Sequence, residues 1–174
     1  MKNKILLKVA RKLVLLLRYS PFNFSLKIRN FLYKFLFKKM GLNCNITEGV
    51  IISHPENISF GNRVSIHQYS ILDAQGEIIV EDDVAIGSHC LLITSTHRFE
   101  DKNKKIKDQG ISTKEIKISS NVWLGSRVTI LQGVTIGKNS IIGAGSIVNK
   151  NIPDNVVAAG VPCKVLKNRW KKKF

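Results

Sequence analysis

The sequence predicts an all-β parallel β-helix, preceded by a helical segment and followed by a short tail. Three observations predict it. Small or branched residues recur every six positions from residue 46 onward, a second apolar residue follows most of them two positions later, and glycine recurs three positions after them. Alternation over two or three residues marks a short strand with one buried face. A corner after each such strand, every six residues, describes a coil with three flat sides and about 18 residues per turn.

The chain has 174 residues, enough for one principal domain with an appendage. Its net charge of +16 lies at its ends. Residues 1–40 carry eleven Lys or Arg and no acid, and Arg169, Lys171, Lys172 and Lys173 close the chain. Residues 41–168 carry thirteen bases against twelve acids, so the body is not a basic nucleic-acid binder. Cys44, Cys90 and Cys163 are odd in number and lack CxxC spacing, which fits neither a disulfide framework nor a thiolate zinc site and suits a reducing cytoplasm.

Residues 1–43 read as a basic amphipathic helical segment. On a first helix Lys4, Lys8, Arg11 and Arg18 fall on one side and Ile5, Val9, Leu13 and Leu16 on the other. Ser20-Pro21 breaks it. A second run from about Leu26 to Lys39 sets Phe31, Leu32, Phe35 and Leu36 against Arg29, Lys34 and Lys38. The longest uncharged apolar run, Leu13 to Leu17, is far below the ~20 residues a bilayer span needs. Two readings stay open: a helical cap on the main domain, or peripheral binding of residues 1–40 to an anionic membrane on its inner, cytoplasmic face.

The repeat occupies residues 44–162. Its first-position residues read Ile46, Ile52, Ile58, Val64 and Ser70, then, after a slip of two, Ile78, Val84, Cys90 and Thr96, and finally Ile116, Val122, Val128, Val134, Ser140, Ser146 and Ile152. Gly49, Gly61, Gly87, Gly125, Gly137 and Gly143, with Asn57, Asn121, Asn139 and Asn151, are read as corner residues tolerating a left-handed backbone. The period stops at Thr96-His97, leaves a polar loop over 97–115, and resumes at Ile116. A long excursion from a strict solenoid points to function. Pro162 ends the prism, and 163–174 form a basic tail that packs back or reaches an adjacent subunit.

The stretch IKISSNVWLGSRVTILQGVTIGKNSIIGAGSIVNKNIPDNVVAAGVPCKVLKNR, residues 116–169, resembles the hexapeptide-repeat acetyltransferases of the galactoside and maltose type and the small O-acetyltransferases of bacterial polysaccharide synthesis. The resemblance covers roughly residues 44–169. It implies a left-handed β-helix, a homotrimer, and transfer of acetyl from acetyl-CoA to a sugar hydroxyl of a glycan acceptor, without a metal. The hand comes from the resemblance alone, since the period does not set it and right-handed crossovers are the general rule.

In that family the loop projects between subunits and carries a catalytic histidine near its start, as His97 stands here. A sugar hydroxyl is a poor nucleophile, and a neutral imidazole, titrating at about 6.5 in model compounds, takes its proton as it attacks the thioester. The resemblance places the pantetheine arm against Ser126, Ala144, Asn149 and Lys150 and the CoA phosphates against Lys164 and Lys167, in a groove between prisms. Lysines there give point-charge rather than bidentate recognition. Small-residue packing is the other reading of Ser126 and Ala144. Asp73 is read as the acceptor-binding carboxylate or an exposed turn residue, and Trp123 as a flank of His97 or a packed corner aromatic. Glu100 or Asp101 would orient the imidazole.

Serine or amino-sugar acetylation stays open within the same class. A metal enzyme of the γ-carbonic-anhydrase type is disfavoured because His54, His67, His89 and His97 are spaced 13, 22 and 8 apart and supply no close pair. A non-catalytic solenoid would make the loop and His97 dispensable.

Overall fold

A computed structural model describes residues 4–171. Lys172 and Lys173 of the basic tail lie outside the described residues. Three parallel sheets run along the prism. The first stacks Lys39–Met40, Ile58–Phe60, Ile78–Val80, Ile116–Ile118 and Thr135–Ile136. The second stacks Asn45–Ile46, Ser65–Ile66, Ala85–Ile86, Trp123–Leu124, Ile141–Ile142 and Val156–Ala159. The third stacks Ile51–Ser53, Ile71–Asp73, Leu91–Ile93, Thr129–Ile130 and Ile147–Val148. Inward side chains such as Ile66, Leu72, Ile86, Leu124, Ile130 and Ile142 are fully buried and form one continuous core.

The registers show where coil length varies. Ile46, Ile66 and Ile86 pair in steps of twenty residues, Leu124 with Ile142 in eighteen, and Ile142 with Ala158 in sixteen. From the first sheet to the second, and from the second to the third, equivalent inward residues are always six apart, as from Phe60 to Ile66 to Leu72. All variation falls at the third corner, where the third sheet passes to the first. It takes two extra residues in each of the first two coils, and the excursion emerges there in the next.

The extra residues correct the first block of the sequence reading. Ile46 and Ile52 pair with Ile66 and Leu72, which are second-position residues, so the first positions of that coil are Cys44 and Val50. The 3-10 turn Pro55–Asn57 holds the additional pair and makes the series look unbroken. Thr96 is likewise exposed, and the residue that closes the third coil is the buried Thr94.

The glycines also work differently from expectation. Gly61, Gly87, Gly125, Gly137 and Gly143 are absent from the left-handed region, which is held by Gly49 together with Asn43, Arg63, Asp83, Asn121, Asn139 and others. What they supply is clearance: a Cβ on Gly87 would lie 2.7 Å from the amide nitrogen of Ser126, and one on Gly125 would lie 2.6 Å from that of Ala144. In these coils the rung spacing of ~4.8 Å leaves no room for a side chain at those positions. Asn121 and Asn139 do adopt the left-handed turn, and their amides donate in series to Asn139 and Asn155 (2.9 and 2.8 Å).

Two helices, α1 (Lys4–Leu17) and α2 (Asn23–Leu36), cover the open end of the solenoid. α2 starts and stops three residues earlier than expected, because Lys39–Met40 is already the first rung. Asn30 accepts the N–H of Ile46 through its side-chain oxygen (3.0 Å), Arg18 accepts that of Gly49 (2.8 Å), and Phe37 packs edge-on to Phe60 at 4.9 Å. Arg29, expected on a polar face, is 2% exposed: its Nη1 donates to the Leu17 and Ser20 carbonyls (2.7 and 2.8 Å) and so caps α1. Burial lowers its pKa and pushes that of neighbouring Tyr33 up to about 12.

Gly125→Ala should cost about 1–3 kcal/mol by forcing two coils apart, a fall in melting temperature of roughly 2–12 °C for a chain of this size. The adjacent exposed Ser126→Ala should stay within about 2 °C of wild type. Thermal denaturation of the two variants checks this.

Candidate active site

The excursion at the third corner is a two-stranded antiparallel ribbon. Ser95–His97 pairs with Ile111–Thr113, in the register Ser95 to Thr113, Thr96 to Ser112 and His97 to Ile111. Thr94 roots it. Its buried hydroxyl donates to the Asp73 carbonyl (2.8 Å) and accepts the N–H of Gly76 (2.9 Å), while its own carbonyl accepts from Lys114 (3.0 Å). Three segments of chain are thereby tied at one point. A threonine at the exact end of the period was the available signal, and the phase error concealed it.

His97 stands exposed at the outer end of the first ribbon strand. Among the described residues its imidazole has no hydrogen-bond partner within the chain. Glu100 accepts the N–H of Phe99 (3.0 Å); Asp101 accepts that of Asn103 (3.0 Å) and pairs with Lys104 (3.3 Å). Gln109 closes the loop through bonds to Asp101 and Lys104. Neither acid orients His97; both are used to shape the ribbon tip.

At the ribbon's base lies a cavity of about 370 Å³, lined by Ile93, Ser95, Thr96, Leu131, Gln132 and Asn149. Register sets Ser53, Asp73 and Ile93 in one outward column of the third sheet, which continues through Leu131 to Asn149. Asp73 is thus one rung from the cavity, with its side chain on the outer face. Gln132 was not singled out from sequence. Its Nε2 reaches Ser112 Oγ at 3.5 Å, and its Oε1 is buried without a partner. A lone Gln in a turn carries no signal by itself; only the neighbouring cavity gives it meaning.

Ser126, Ala144 and Lys164 lie toward the opposite edge of the third sheet. Ser126 and Ala144 follow Gly125 and Gly143 at successive levels of the second corner, joined by the Gly145 N–H donating to the Ser126 carbonyl (2.9 Å). Both side chains are exposed, so core packing does not demand their small size. After the Val161-Pro162 turn the chain folds back, and Lys164–Asn168 pairs antiparallel with Val156–Ala159, setting Lys164 beside Ala159 and Lys167 beside Val157. Ala159 touches the position above Gly143, so Ser126, Ala144 and Lys164 follow one line up the prism. Asn149 and Lys150 are exposed at the third corner, on the ribbon's side.

One chain therefore gathers Asp73, His97 and Asn149 at one edge of the third sheet and Ser126, Ala144 and Lys164 at the other. It does not bring Trp123 to His97. Trp123 pairs with Ala85 and Ile141 on the second sheet, across the prism from the third corner. No group of three His, Cys, Asp or Glu among the described residues is placed to hold a metal. His54 turns toward Glu56 (3.8 Å), and His89 stacks on Tyr69 with centroids 5.3 Å apart.

Residues 115–150 match the family model "Bacterial transferase hexapeptide (six repeats)". The galactoside O-acetyltransferase of Escherichia coli is 40% identical over 140 residues, covering 80% of this chain and 68% of that protein. The chain belongs to the hexapeptide-repeat acetyltransferases. A solved structure of a galactoside acetyltransferase in complex with coenzyme A superposes on this hexapeptide-repeat protein with a TM-score of 0.83 and 34% identity, over 95% of this chain and 81% of that one. "Probable acetyltransferase Rv3034c" of Mycobacterium tuberculosis is 33% identical over 122 residues. The chain spans 70% of itself in that match but only 41% of the mycobacterial protein, so some curated relatives are considerably longer.

Thr94→Val removes the ribbon's root while keeping its volume. It should destabilise the protein by about 1–3 kcal/mol, since the Gly76 N–H is left unpaired. Chemical denaturation gives the loss, and faster proteolytic cleavage between residues 98 and 110 should accompany it.

Proposed function

We propose that this protein is an O-acetyltransferase moving acetyl from acetyl-CoA to a sugar hydroxyl, with His97 as general base, and that it serves cell-surface polysaccharide synthesis on the cytoplasmic side. The observation carrying this reading is the single ribbon, rooted by Thr94 at the one corner of variable length, that presents an exposed imidazole on a family scaffold. His97 takes the proton of the acceptor hydroxyl as its oxygen attacks the thioester carbonyl. The new C–O bond forms, the C–S bond breaks, and the departing thiolate takes the proton back from the imidazolium, so CoA leaves as the thiol and the imidazole is regenerated. Such proton transfer contributes about 10²–10⁴-fold.

The second corner fits the donor. Ser126 and Ala144 offer small outward side chains beside accessible backbone, and Lys164 and Lys167 add positive charge farther along for phosphates. In this reading Asn149 and Lys150 belong to the donor path where it nears the ribbon, and Asp73, paired beside Ile93 in the same outward column, binds acceptor hydroxyls.

Because the two edges are separated within a chain, the reading includes a homotrimer in which His97 of one copy serves the donor corner of the next. The outward face of the third sheet supports this. Ile51, Ile71, Leu91 and Ile147, interrupted by Thr129, form an exposed or half-buried outward column there with Ile93 and Leu131 beside it, whereas the first sheet's outward column reads Lys39, Ser59, Ile79, Lys117 and Thr135. An apolar face of this kind marks a packing surface. Trp123 would then take part only from a neighbouring copy.

The test is thiol release from acetyl-CoA with a panel of galactosides, maltose, glucosamine derivatives and polysaccharide fragments. His97→Ala should lose more than about a hundredfold in kcat with an unchanged melting temperature; full activity would refute the assignment. Lys164→Ala and Lys167→Ala should each raise the KM for acetyl-CoA roughly two- to fivefold, with little change in kcat, as expected for exposed point charges.

A further inference from the structure

We propose that the outward faces of α1 and α2 dock the protein on an anionic membrane surface. This inference concerns a surface remote from the acetyl-transfer chemistry and does not depend on it.

α1 has two apolar sides. Ala10 and Val14 are buried against the domain, while Ile5, Val9, Leu13 and Leu16 are 73, 48, 40 and 80% exposed. At about 100° per residue the exposed four fall within a sector of roughly 80°, with Lys12 at its edge and Lys8 beside it. α2 repeats the plan. Ser25, Arg29, Tyr33 and Leu36 face inward, and Phe24, Phe31 and Phe35 form an exposed stripe flanked by Lys27 and Lys34. Phe31 and Phe35 pack edge-on at 5.1 Å, which stiffens that stripe. Capping the solenoid uses only the inward sides, so it does not account for the outward stripes.

The charge pattern selects the occupant. Residues 1–40 contain no acid; Arg11 and Lys38 pair with Glu56 and Glu77, whereas Lys8, Lys12, Lys27 and Lys34, which border the apolar stripes, have no ion pair among the described residues. Two copies meeting through this surface would bring like charges together. An anionic bilayer complements both features: aromatic and aliphatic side chains enter the headgroup boundary, while lysines extend toward lipid phosphates. Each helix has 14 residues, about 21 Å long, and none among the described residues is long and apolar enough to cross a membrane. The helices lie on the bilayer rather than through it.

The experiment is co-sedimentation of the full-length protein with phosphatidylcholine vesicles, with and without about one-third phosphatidylglycerol. Two variants with exposed substitutions accompany it, Leu16→Ser/Phe24→Ser/Phe31→Ser and Lys8→Glu/Lys12→Glu/Lys27→Glu/Lys34→Glu, each checked for an unchanged melting temperature. Wild type should bind the anionic vesicles at least about tenfold more tightly than the neutral ones and lose that advantage near 1 M salt, where the Debye length falls to about 3 Å. Both variants should lose about tenfold or more. If the serine variant melts early, the glutamate variant decides. Wild type remaining in the supernatant with anionic vesicles overturns the proposal, as does a folded variant that binds undiminished. Concentration-dependent association of wild type in light scattering, abolished by the serine variant without any vesicle binding, would assign the surface to a second copy instead.

Discussion

Every rung of this solenoid hydrogen-bonds to the rung above through its backbone, as when Ser65 donates to Val84, Ala85 to Val122 and Trp123 to Ser140. That contact holds only if coils approach to ~4.8 Å all the way round. Gly61 and Gly137 at the first corner, and Gly87 and Gly125 at the second, permit the approach where a side chain would strike the next coil's backbone. Two corners are thereby locked at a fixed length. The third corner is the sole place where the chain gains or loses residues, and the ribbon bearing His97 emerges there.

The same constraint separates the candidate groups. The locked second corner carries Ser126 and Ala144, and the variable third corner carries the ribbon, with the third sheet between them. A rigid prism cannot fold one edge onto the other. If the two sets act in one reaction, they meet by apposition of copies, and the apolar outer face of the third sheet is the surface available for it. Neither Glu100 nor Asp101 holds the imidazole within a chain, since both are committed to the ribbon's own turns.

Much of the fold was legible because inward residues repeat in strict phase over residues 116–148, where every corner has the same length. The next corner is two residues shorter, so Ile152, which pairs with Ile136, is an inward second-position residue rather than a first-position one. Phase was lost where a corner was longer. Ile46 and Ile52 satisfy a period of six by coincidence, and the two residues added around Pro55 are visible only in the pairing register. The role of the glycines was misjudged for a related reason: a missing Cβ serves either a left-handed turn or a close approach, and one sequence does not distinguish them. Arg29 escaped because its partners, the Leu17 and Ser20 carbonyls, are backbone atoms invisible to side-chain patterning. For the site, the break at His97 was plain, whereas its root in Thr94 and the neighbouring Gln132 depend on contacts between segments distant in sequence.

Subunit complementation tests the shared site most directly. Chains carrying His97→Ala and chains carrying Ser126→Trp, each inactive alone, would be dissociated, mixed and reassembled. A site built from two copies restores one intact pairing in mixed assemblies, so activity should return to a substantial fraction of wild type. Mixed assemblies, shown by mass to contain both chains, that stay as inactive as their parents would contradict it and place His97 and Ser126 in the same subunit's site.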